Sequence, residues 1–437
     1  MEWLIDGRHY SLSISVDLIL IMANTAAAIG AKLQTDHAED ALDEDCYYLR
    51  KSDAKKLSNA EWLLLGQYIA TNNDIKKLKL SSRNVTNAKM KALFKGITGS
   101  NVLKSLDLSK NEFGVNGVRG MAPFLKASSA LNVLKFGKNG TIDTDCFVVL
   151  VGNLDGKPIE ELHFNDCVIG SIAALEGGNL PALRVLNLDD NYITHVPPLE
   201  NYTHLQELYL GKNKIGRDGF IGISSLLQHE SCALERINLN ETGMDDEDVE
   251  IITTSLKHKH NTKLTYLYIG LQNRITTKGL GSFLKLLNDI SSLKNTQKSN
   301  HTLCNLGLAG VQMWPGGLAY HLYGPHLSRV NAALNVNYRH RRRPEIAARD
   351  KVIESQLNEW VRVEQCQLQG IEQPEHHGTY LFSQMDSLLL PKVLELVGTR
   401  YSQSQFYRTI TSTVSALTAF TGTRTSQQLC GQKRRLH

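Results

Sequence analysis

Apolar residues recur along the middle of the chain in one arrangement, L-x-x-L-x-L-x-x-N-x-L, in which the x positions are mostly polar. The best copies are Leu103-Leu106-Leu108-Asn111-Phe113, Leu183-Leu186-Leu188-Asn191-Ile193 and Leu205-Leu208-Leu210-Asn213-Ile215. A further copy begins at Ile159 with Cys167 at the asparagine position, and weaker copies begin at Ile75, Leu131, Leu234, Leu264 and Leu303. Most starts lie near 28 residues apart. Such self-similarity indicates stacked repeating units.

Each copy predicts a short strand, because the two leucines of L-x-L point inward while the residues beside them point outward. The asparagine side chain can bond backbone groups of the neighbouring coil. We predict this structural role for Asn111, Asn139, Asn191 and Asn213. One copy cannot bury its leucines alone, so we expect the copies to share one core.

The segments between the strands carry apolar residues at helical spacing. They predict helices at residues 61–70, 89–97, 118–128, 147–154, 220–229, 248–258 and 280–293. The two shorter repeats at 159–204 contain Pro181, Pro197 and Pro198, which favour an extended or 3₁₀ segment instead. The expected architecture is an α/β solenoid with a curved parallel sheet on its concave side and helices on its convex side.

The pattern divides the chain into four parts. Residues 59–325 form the solenoid of eight or nine repeats, and residues 1–58 precede it as a segment whose order is left open. Residues 326–420 show helical spacing, including a predicted helix at about 345–365. Because an end repeat exposes apolar core, we expect this part to be a helical C-terminal cap. Residues 421–437 form a basic tail, expected to be disordered.

Composition narrows the protein class. Hydrophobic residues make up 42% and charged residues 21%, which suits a large core, and no apolar run is long enough for a membrane span. The seven cysteines are scattered without a C-x-x-C pair. We therefore expect buried thiols in a reducing compartment, hence a cytoplasmic protein, with the nucleus as the alternative. The apolar stretch 18–23 resembles a signal-peptide core, but Glu2 and Asp6 precede it and disfavour secretion.

The repeats quoted above, with their period near 28, resemble the ribonuclease-inhibitor-like leucine-rich-repeat proteins. Residues 59–80 and 388–410 resemble the entry segment and the helical C-terminal block of microalgal members. The resemblance covers residues 59–410 and implies a leucine-rich-repeat solenoid that acts as a protein-interaction scaffold.

The sequence contains no recognisable catalytic motif. The sequence has no P-loop, no H-E-x-x-H and no G-x-S-x-G motif. His376 and His377 beside Glu375 lie on a predicted loop, where adjacent histidines rarely converge on one ion. We therefore expect a non-enzymatic protein with no catalytic residue, metal, cofactor or small-molecule substrate.

The outward positions of the predicted strands carry the remaining signal. The first three repeats are rich in lysine, the next three are acidic, and tyrosine and arginine follow. Tyrosine and arginine are enriched at binding hot spots, and a face divided by charge favours one docking direction. The predicted partner-binding residues are the hot spots Tyr209, Arg236, Tyr266 and Tyr268, the steering lysines Lys77, Lys79 and Lys135, and His163, Glu161 and Glu207.

Three other functions stay open. The resemblance allows a regulator of a small GTPase. The segment 388–397 faintly resembles the start of an F-box, which allows a substrate receptor of a ubiquitin ligase. An extracellular receptor module would require the disfavoured signal peptide. The basic runs at 339–343 and 433–435 lack an aromatic platform, so nucleic acid is a disfavoured partner. We expect a protein partner and no membrane contact.

Overall fold

The computed structural model describes residues 2–5, 8–11, 46–49, 51–97, 101–257, 263–270, 273–291, 293–308, 318–348 and 350–351. Within them, the strands are β1 Glu2–Ile5, β2 Arg8–Ser11, β3 Cys46–Tyr48, β4 Lys77–Lys79, β5 Ser105–Asp107, β6 Val133–Lys135, β7 Glu161–His163, β8 Val185–Asn187, β9 Glu207–Tyr209, β10 Arg236–Asn238 and β11 Tyr266–Tyr268. The helices are α1 Lys51–Lys56, α2 Asn59–Thr71, α3 Asn87–Ile97, α4 Val115–Ala127, α5 Thr144–Gly152, α6 Arg217–Gln228, α7 Asp246–Ser255, α8 Thr277–Leu287, α9 Leu293–Lys298 and α10 Leu318–Arg339, with a 3₁₀ turn at Ala173–Leu175.

Strands β3 to β11 form one parallel sheet in sequence order. The register pairs the same template position of successive copies, as in Leu78 with Leu106 and Leu106 with Leu134. The predicted α/β fold class is therefore confirmed. Strand β3 adds a unit in the segment whose order the sequence left open, and it pairs with β4. Strands β1 and β2 form a separate antiparallel hairpin.

The inward side chains build one continuous core along the stack. The middle residue of every strand from β4 to β11 is at most 1% exposed. Phenylalanines of successive repeats add a row of ring contacts, with centroids 6.2 Å apart for Phe113 and Phe136 and 5.2 Å apart for Phe136 and Phe164. Each repeat thus buries apolar area against both neighbours, which supplies the main stabilisation of a solenoid.

Most helices begin two or three residues before the predicted starts. The first turns are polar, so apolar spacing alone misses them. Asp143 caps α5 by accepting from the Cys146 N–H at 2.9 Å, and Asp245 and Asp248 form a capping box at α7. The prediction of a helix at 280–293 was too long, because α8 ends at Leu287 and residues 293–298 form the separate helix α9. The short repeat at 159–182 has the predicted 3₁₀ turn.

Neighbouring repeats also cap one another. The first residue of one helix accepts hydrogen bonds from the backbone where the next repeat's helical segment begins. Asn87 Oδ1 accepts from Gly114 and Gly117 N–H at 2.9 and 2.8 Å, and Asp246 Oδ1 accepts from Thr276 and Gly279 N–H at 2.8 and 3.0 Å. Orphan donors at helix starts are thereby satisfied from the preceding repeat, which fixes the stacking register.

The chain divides into two compact units. The first comprises Met1–Leu287 with Asn300–Arg341 and contains both sheets. In it, α10 buries Val330 and Leu334, and Asn337 Nδ2 donates to the Leu303 carbonyl at 2.6 Å. This helix packs against α8 and adds Val330 and Leu334 to the core of the last repeats. A cap formed by residues 326–420 stays a prediction.

The second unit comprises Asn288–Ser299 with Arg342–His437. Its described residues are 288–291, 293–299, 342–348 and 350–351. They include α9, where Thr296 Oγ1 donates to the Asp289 carbonyl at 2.8 Å. The rest of the predicted helix at 345–365, the histidine pair, the segment 388–410 and the basic tail lie outside the described residues.

Candidate protein-interaction surface

The strands present two rows of side chains on the face of the sheet opposite the buried leucines, which we name the open face. The first residues of β4 to β11 make one row and the third residues make the other. The first row is Lys77, Ser105, Val133, Glu161, Val185, Glu207, Arg236 and Tyr266, and the second is Lys79, Asp107, Lys135, His163, Asn187, Tyr209, Asn238 and Tyr268. All ten predicted partner-binding residues therefore lie on one face.

Buried asparagines hold the turn that follows each strand. Asn213 Nδ2 donates to the carbonyls of Leu188 and Leu210, both at 2.9 Å, and its Oδ1 accepts from Ile193 N–H at 3.0 Å. Asn111, Asn139 and Asn191 make the corresponding bonds between their own repeats. These contacts satisfy backbone groups that the coil would otherwise leave unpaired, and they connect adjacent repeats.

Other side chains replace the asparagine where the template is broken. Cys167 Sγ contacts the Phe136 carbonyl at 3.5 Å, and Thr242 Oγ1 donates to the Leu239 carbonyl at 2.8 Å. Asn273 also belongs to this set, since it accepts from Thr242, Gly243 and Met244 N–H and donates to the Leu239 and Ile269 carbonyls. The repeat template does not identify Asn273, because this residue lies one position beyond the template's asparagine.

A row of mostly charged residues follows the strands, each one position before the template's asparagine position. Its members have positive φ although none is glycine: Ser82, Lys110, Lys138, Asp166, Asp190, Lys212 and Glu241, with φ between 54° and 61°. The backbone N–H groups of Lys110 and Lys138 donate to the next repeat, to the Gly137 and Asn165 carbonyls at 2.9 and 2.7 Å. The coil therefore requires this left-handed conformation at each copy, and the side chains there are a separate choice of the sequence.

Aromatic and charged side chains interlock near the end of the open face. We name Tyr209, Arg236, Tyr266 and Tyr268 the aromatic cluster. The Arg236 guanidinium lies 5.1 Å from the Tyr266 ring centre and 3.1 Å from Glu207 Oε1, while Tyr209 Oη donates to Glu207 Oε2 at 2.5 Å. The Tyr266 and Tyr268 rings stack with centroids 6.1 Å apart. Burial and the Glu207 carboxylate together raise the pKa of Tyr209 to about 12, so its hydroxyl stays a donor.

A polar depression of about 550 Å³ lies beside the aromatic cluster, at the turn end of β7 to β10. Its lining includes Asp166, Asp189, Asp190 and Lys212. Asp189 Oδ1 accepts from Gly211 N–H at 2.6 Å and from Asn238 Nδ2 at 3.0 Å. Burial raises the pKa of Asp189 to about 6, because these neutral donors only partly offset the lost hydration.

His163, in the middle of the open face, is a weaker base than an exposed histidine. His163 Nε2 lies 3.1 Å from Glu161 Oε2. Burial nevertheless lowers the pKa of His163, with Lys135 adding to the effect against the raising influence of Glu161. His163 is therefore neutral at pH 7 and offers a hydrogen bond rather than a positive charge.

The described residues show no metal centre and no membrane helix. They contain no group of three or more His, Cys, Asp or Glu side chains placed to hold a metal ion. Among the described helices, none combines the length and the apolar character that crossing a bilayer requires. Four described cysteines are buried free thiols, and burial raises the pKa of Cys146 to about 12 and of Cys167 to about 11. These two thiols are inert as nucleophiles at neutral pH.

A family model described as Leucine Rich repeat matches residues 99–122 and 202–224, which contain two of the best template copies. The chain is a leucine-rich-repeat protein. The ribonuclease-inhibitor-like subtype and the likeness to microalgal members remain expectations from the sequence.

Curated proteins with similar sequences include "NACHT, LRR and PYD domains-containing protein 3" from Macaca mulatta and from Homo sapiens. The macaque protein is 24% identical over 242 residues, which is 53% of this chain and 23% of that protein. The human protein is 24% identical over 213 residues, or 46% of this chain and 20% of that protein. The chain thus corresponds to about a fifth of the length of these relatives.

Two solved structures from Listeria monocytogenes are similar to the chain. Internalin C2 aligns with a TM-score of 0.36 and 20% identity over 58% of this chain and 84% of that one. Internalin InlF aligns with a TM-score of 0.34 and 20% identity over 49% of this chain and 61% of that one.

The leucine-rich repeats thus place the predicted residues on one face, where they form two separate groups. Tyr209, Arg236, Tyr266, Tyr268 and Glu207 form one contact network, whereas Lys77, Lys79 and Lys135 lie at the other end of the stack. Asp189 and its depression were not among the predicted site residues, although the sequence indicates an acidic middle region. The inter-repeat contacts with Gly211 and Asn238, 22 and 49 residues away, distinguish Asp189 from exposed neighbours such as Asp190.

Proposed function

We propose that this leucine-rich-repeat protein is a non-enzymatic scaffold that binds a protein partner on the open face, taken as the concave face of a curved sheet. The observation that carries the proposal is the aromatic cluster. It combines three tyrosines and an arginine, the residue types that contribute most to interface hot spots. We further propose a reducing, cytoplasmic setting, which the buried free thiols support.

The internal contacts of the aromatic cluster support a binding role because they preorganise it. Arg236 is held from two sides, by the Tyr266 ring and by Glu207, so it loses little side-chain entropy when a partner binds. Its side chain is still 44% exposed, and the two later tyrosines are only half-buried. The cluster therefore offers a rigid, accessible surface with apolar rings and polar edges.

Affinity capture from the source lysate tests this proposal. The full chain is compared with a Tyr209→Ala/Tyr266→Ala/Tyr268→Ala variant by quantitative mass spectrometry. Replacing a hot-spot tyrosine by alanine costs about 2 kcal/mol or more of binding free energy. The affinity for a partner of the open face, and with it the captured amount, should therefore fall by at least about 30-fold. The matched control is Tyr192→Ala/Tyr338→Ala, which removes exposed tyrosines outside the open face.

Circular dichroism separates the loss of the binding site from the loss of the fold. It must show that the triple variant keeps the native spectrum and a cooperative unfolding transition. If such a folded variant captures the same proteins in the same amounts as the full chain, the binding site is not the aromatic cluster and the proposal is wrong.

A further inference from the structure

We propose that lysines on and beside strands β5 and β6, next to the rows of the open face, bind an acidic segment of the protein partner. We name Lys104, Lys110, Lys135 and Lys138 the lysine patch. This inference rests on the proposed function, since it assigns chemistry to the partner of the same face. Three observations carry it: the absence of ion pairs between these lysines and described residues, the recurrence of an exposed lysine at one turn position in two neighbouring repeats, and the charges that border the patch.

The lysine patch spans two neighbouring repeats. Lys104 immediately precedes β5, and Lys135 is the last residue of β6. Lys110 and Lys138 occupy the same template position in the turns after β5 and β6. Adjacent strands lie about 4.8 Å apart, so β5 and β6 with their flanking residues form a narrow two-strand strip. Lysine lies at both ends of this strip.

The four cations are not neutralised from within the described part of the chain. None of them makes an ion pair with a described residue, whereas the cations of later repeats do. Arg184 lies 3.7 Å from Glu160, Lys212 lies 3.8 Å from Asp190, and Arg236 lies 3.1 Å from Glu207. Asp107 is the register partner of Lys135 and carries the one acidic side chain of segments 104–110 and 132–138, against four lysines. The strip therefore keeps an excess of positive charge that a carboxylate-bearing segment complements.

Two of the lysines occupy a conformation that disfavours them. Lys110 and Lys138 have φ of 56° and 61°, a conformation in which a Cβ atom crowds the backbone and glycine, which lacks one, is favoured. The conformation recurs in seven copies of this turn, so the coil sets it, whereas lysine in two neighbouring copies is particular to this strip. Both side chains are exposed and add no core packing, so they place two cations side by side at the surface.

The surroundings favour an acidic protein segment over a nucleic acid. Asp166 lies beyond Lys138, and Glu161 begins β7, the next strand. A duplex carries one charge about every 1.7 Å and would extend from the strip onto these carboxylates. Within the strip, the first row of the open face consists of Ser105 and Val133, which provide no aromatic surface on which a base could stack. A few adjacent glutamates or aspartates fit the strip without meeting the repulsive border.

The direct test uses the full chain and a fluorescein-labelled peptide of alternating glutamate and serine, followed by fluorescence anisotropy. Reversing the patch with Lys104→Glu, Lys110→Glu, Lys135→Glu and Lys138→Glu should weaken binding by at least about tenfold. The control makes the same change in net charge at exposed helix residues, with Arg119→Glu, Lys126→Glu, Lys278→Glu and Lys285→Glu. It should retain affinity within about twofold. Equal losses in both variants, or no loss in the patch variant, overturn the inference.

A second variant tests whether the lysines serve binding rather than folding. Lys110→Gly/Lys138→Gly relieves the left-handed strain, so it should unfold at a higher urea concentration while binding the acidic peptide more weakly. A loss of stability in this variant would assign the two lysines to the fold and contradict the inference. A short RNA duplex that binds more tightly than the peptide, and is lost only on reversal of the patch, would also overturn it in favour of nucleic acid.

Failure of this inference can be told apart from failure of the proposed function. If the patch variant keeps a lysate partner that the aromatic-cluster variant loses, the acidic-segment inference is wrong and the proposed function stands. If the folded aromatic-cluster variant keeps every partner, the proposed function is wrong, whatever the peptide does. Joint loss of one partner in both variants, with the control unaffected, supports both.

Discussion

At the scale of single residues, the asparagines show what a template can and cannot locate. Four of them follow the leucines at a constant spacing, so their role in bonding the coil could be predicted. Asn273 has the same partners but lies one residue later, because its repeat bends the spacing. An asparagine bonds the coil when its side-chain amide lies beside the backbone carbonyls of two repeats. That position depends on the path of the backbone, which counting along the sequence does not give.

Asp189 gives a residue-scale prediction on pH. Its folded pKa of about 6 exceeds the usual value near 4, so the folded state binds this proton more strongly than the unfolded chain. Its contribution to stability is therefore present below about pH 4 and is lost as the pH rises through about 6. Asp189→Asn should raise the free energy of unfolding at about pH 7.5, by on the order of 1 kcal/mol relative to its effect at about pH 4.5.

Urea unfolding of the full chain and the variant at both pH values checks this prediction. Asp190→Asn is the matched control, because that carboxylate is one residue further on and exposed. Asp189→Asn would contradict the prediction if it shifted the free energy of unfolding equally at both pH values.

At the scale of elements, helices α2 and α3 approach so closely that glycine is required at their contact. A Cβ atom on Gly66 would lie 2.2 Å from the Leu93 carbonyl oxygen, and one on Gly96 would lie 2.4 Å from the Leu63 carbonyl oxygen. Apolar spacing predicted that a helix would form in each segment. It could not predict this contact, because the interhelical distance follows from how the first repeat stacks on α2.

Two alanine substitutions test the close approach. Gly66→Ala should lower the free energy of unfolding by about 1–3 kcal/mol, because backbone must move to admit the methyl group. Gly281→Ala in α8 is the control, since nothing lies within 4 Å of its added Cβ atom. It should instead raise stability by about 0.5–1 kcal/mol through helix propensity. Urea denaturation measures both, and a Gly66→Ala variant as stable as the full chain would show that the two helices separate at little cost.

At the scale of the whole molecule, the parallel sheet ends at β3, which adds one strand before the first leucine repeat. Strand β3 pairs with β4, and the Leu49 carbonyl accepts from Arg83 Nε in the adjoining turn. Leu49, which directly follows β3, is 1% exposed, so this first unit also adds apolar burial to the stack. The sequence did not predict β3, because three residues without a leucine repeat carry no periodic signal.

Deleting residues 1–49 should therefore lower the free energy of unfolding by about 1–3 kcal/mol, because β4 loses its partner strand and the end of the stack loses the buried side chain of Leu49. Deleting only residues 1–45 keeps β3 and Leu49 and serves as the matched control, with a stability close to that of the full chain. Urea denaturation measures both deletions. Equal stability of the two deletions would mean that β3 does not stabilise the end of the sheet.

The sequence by itself determined the repeat period, the inward leucines, the outward rows and four of the bonding asparagines. These features are local, since each follows from residues within one copy of the template. The tertiary structure decided which copies touch through their side chains. Arg236 reaches Tyr266 and Glu207, and Asp189 meets Asn238, across repeats of unequal length. Such contacts depend on strand register and on the loops between repeats, and so does the burial that raises the pKa of Asp189.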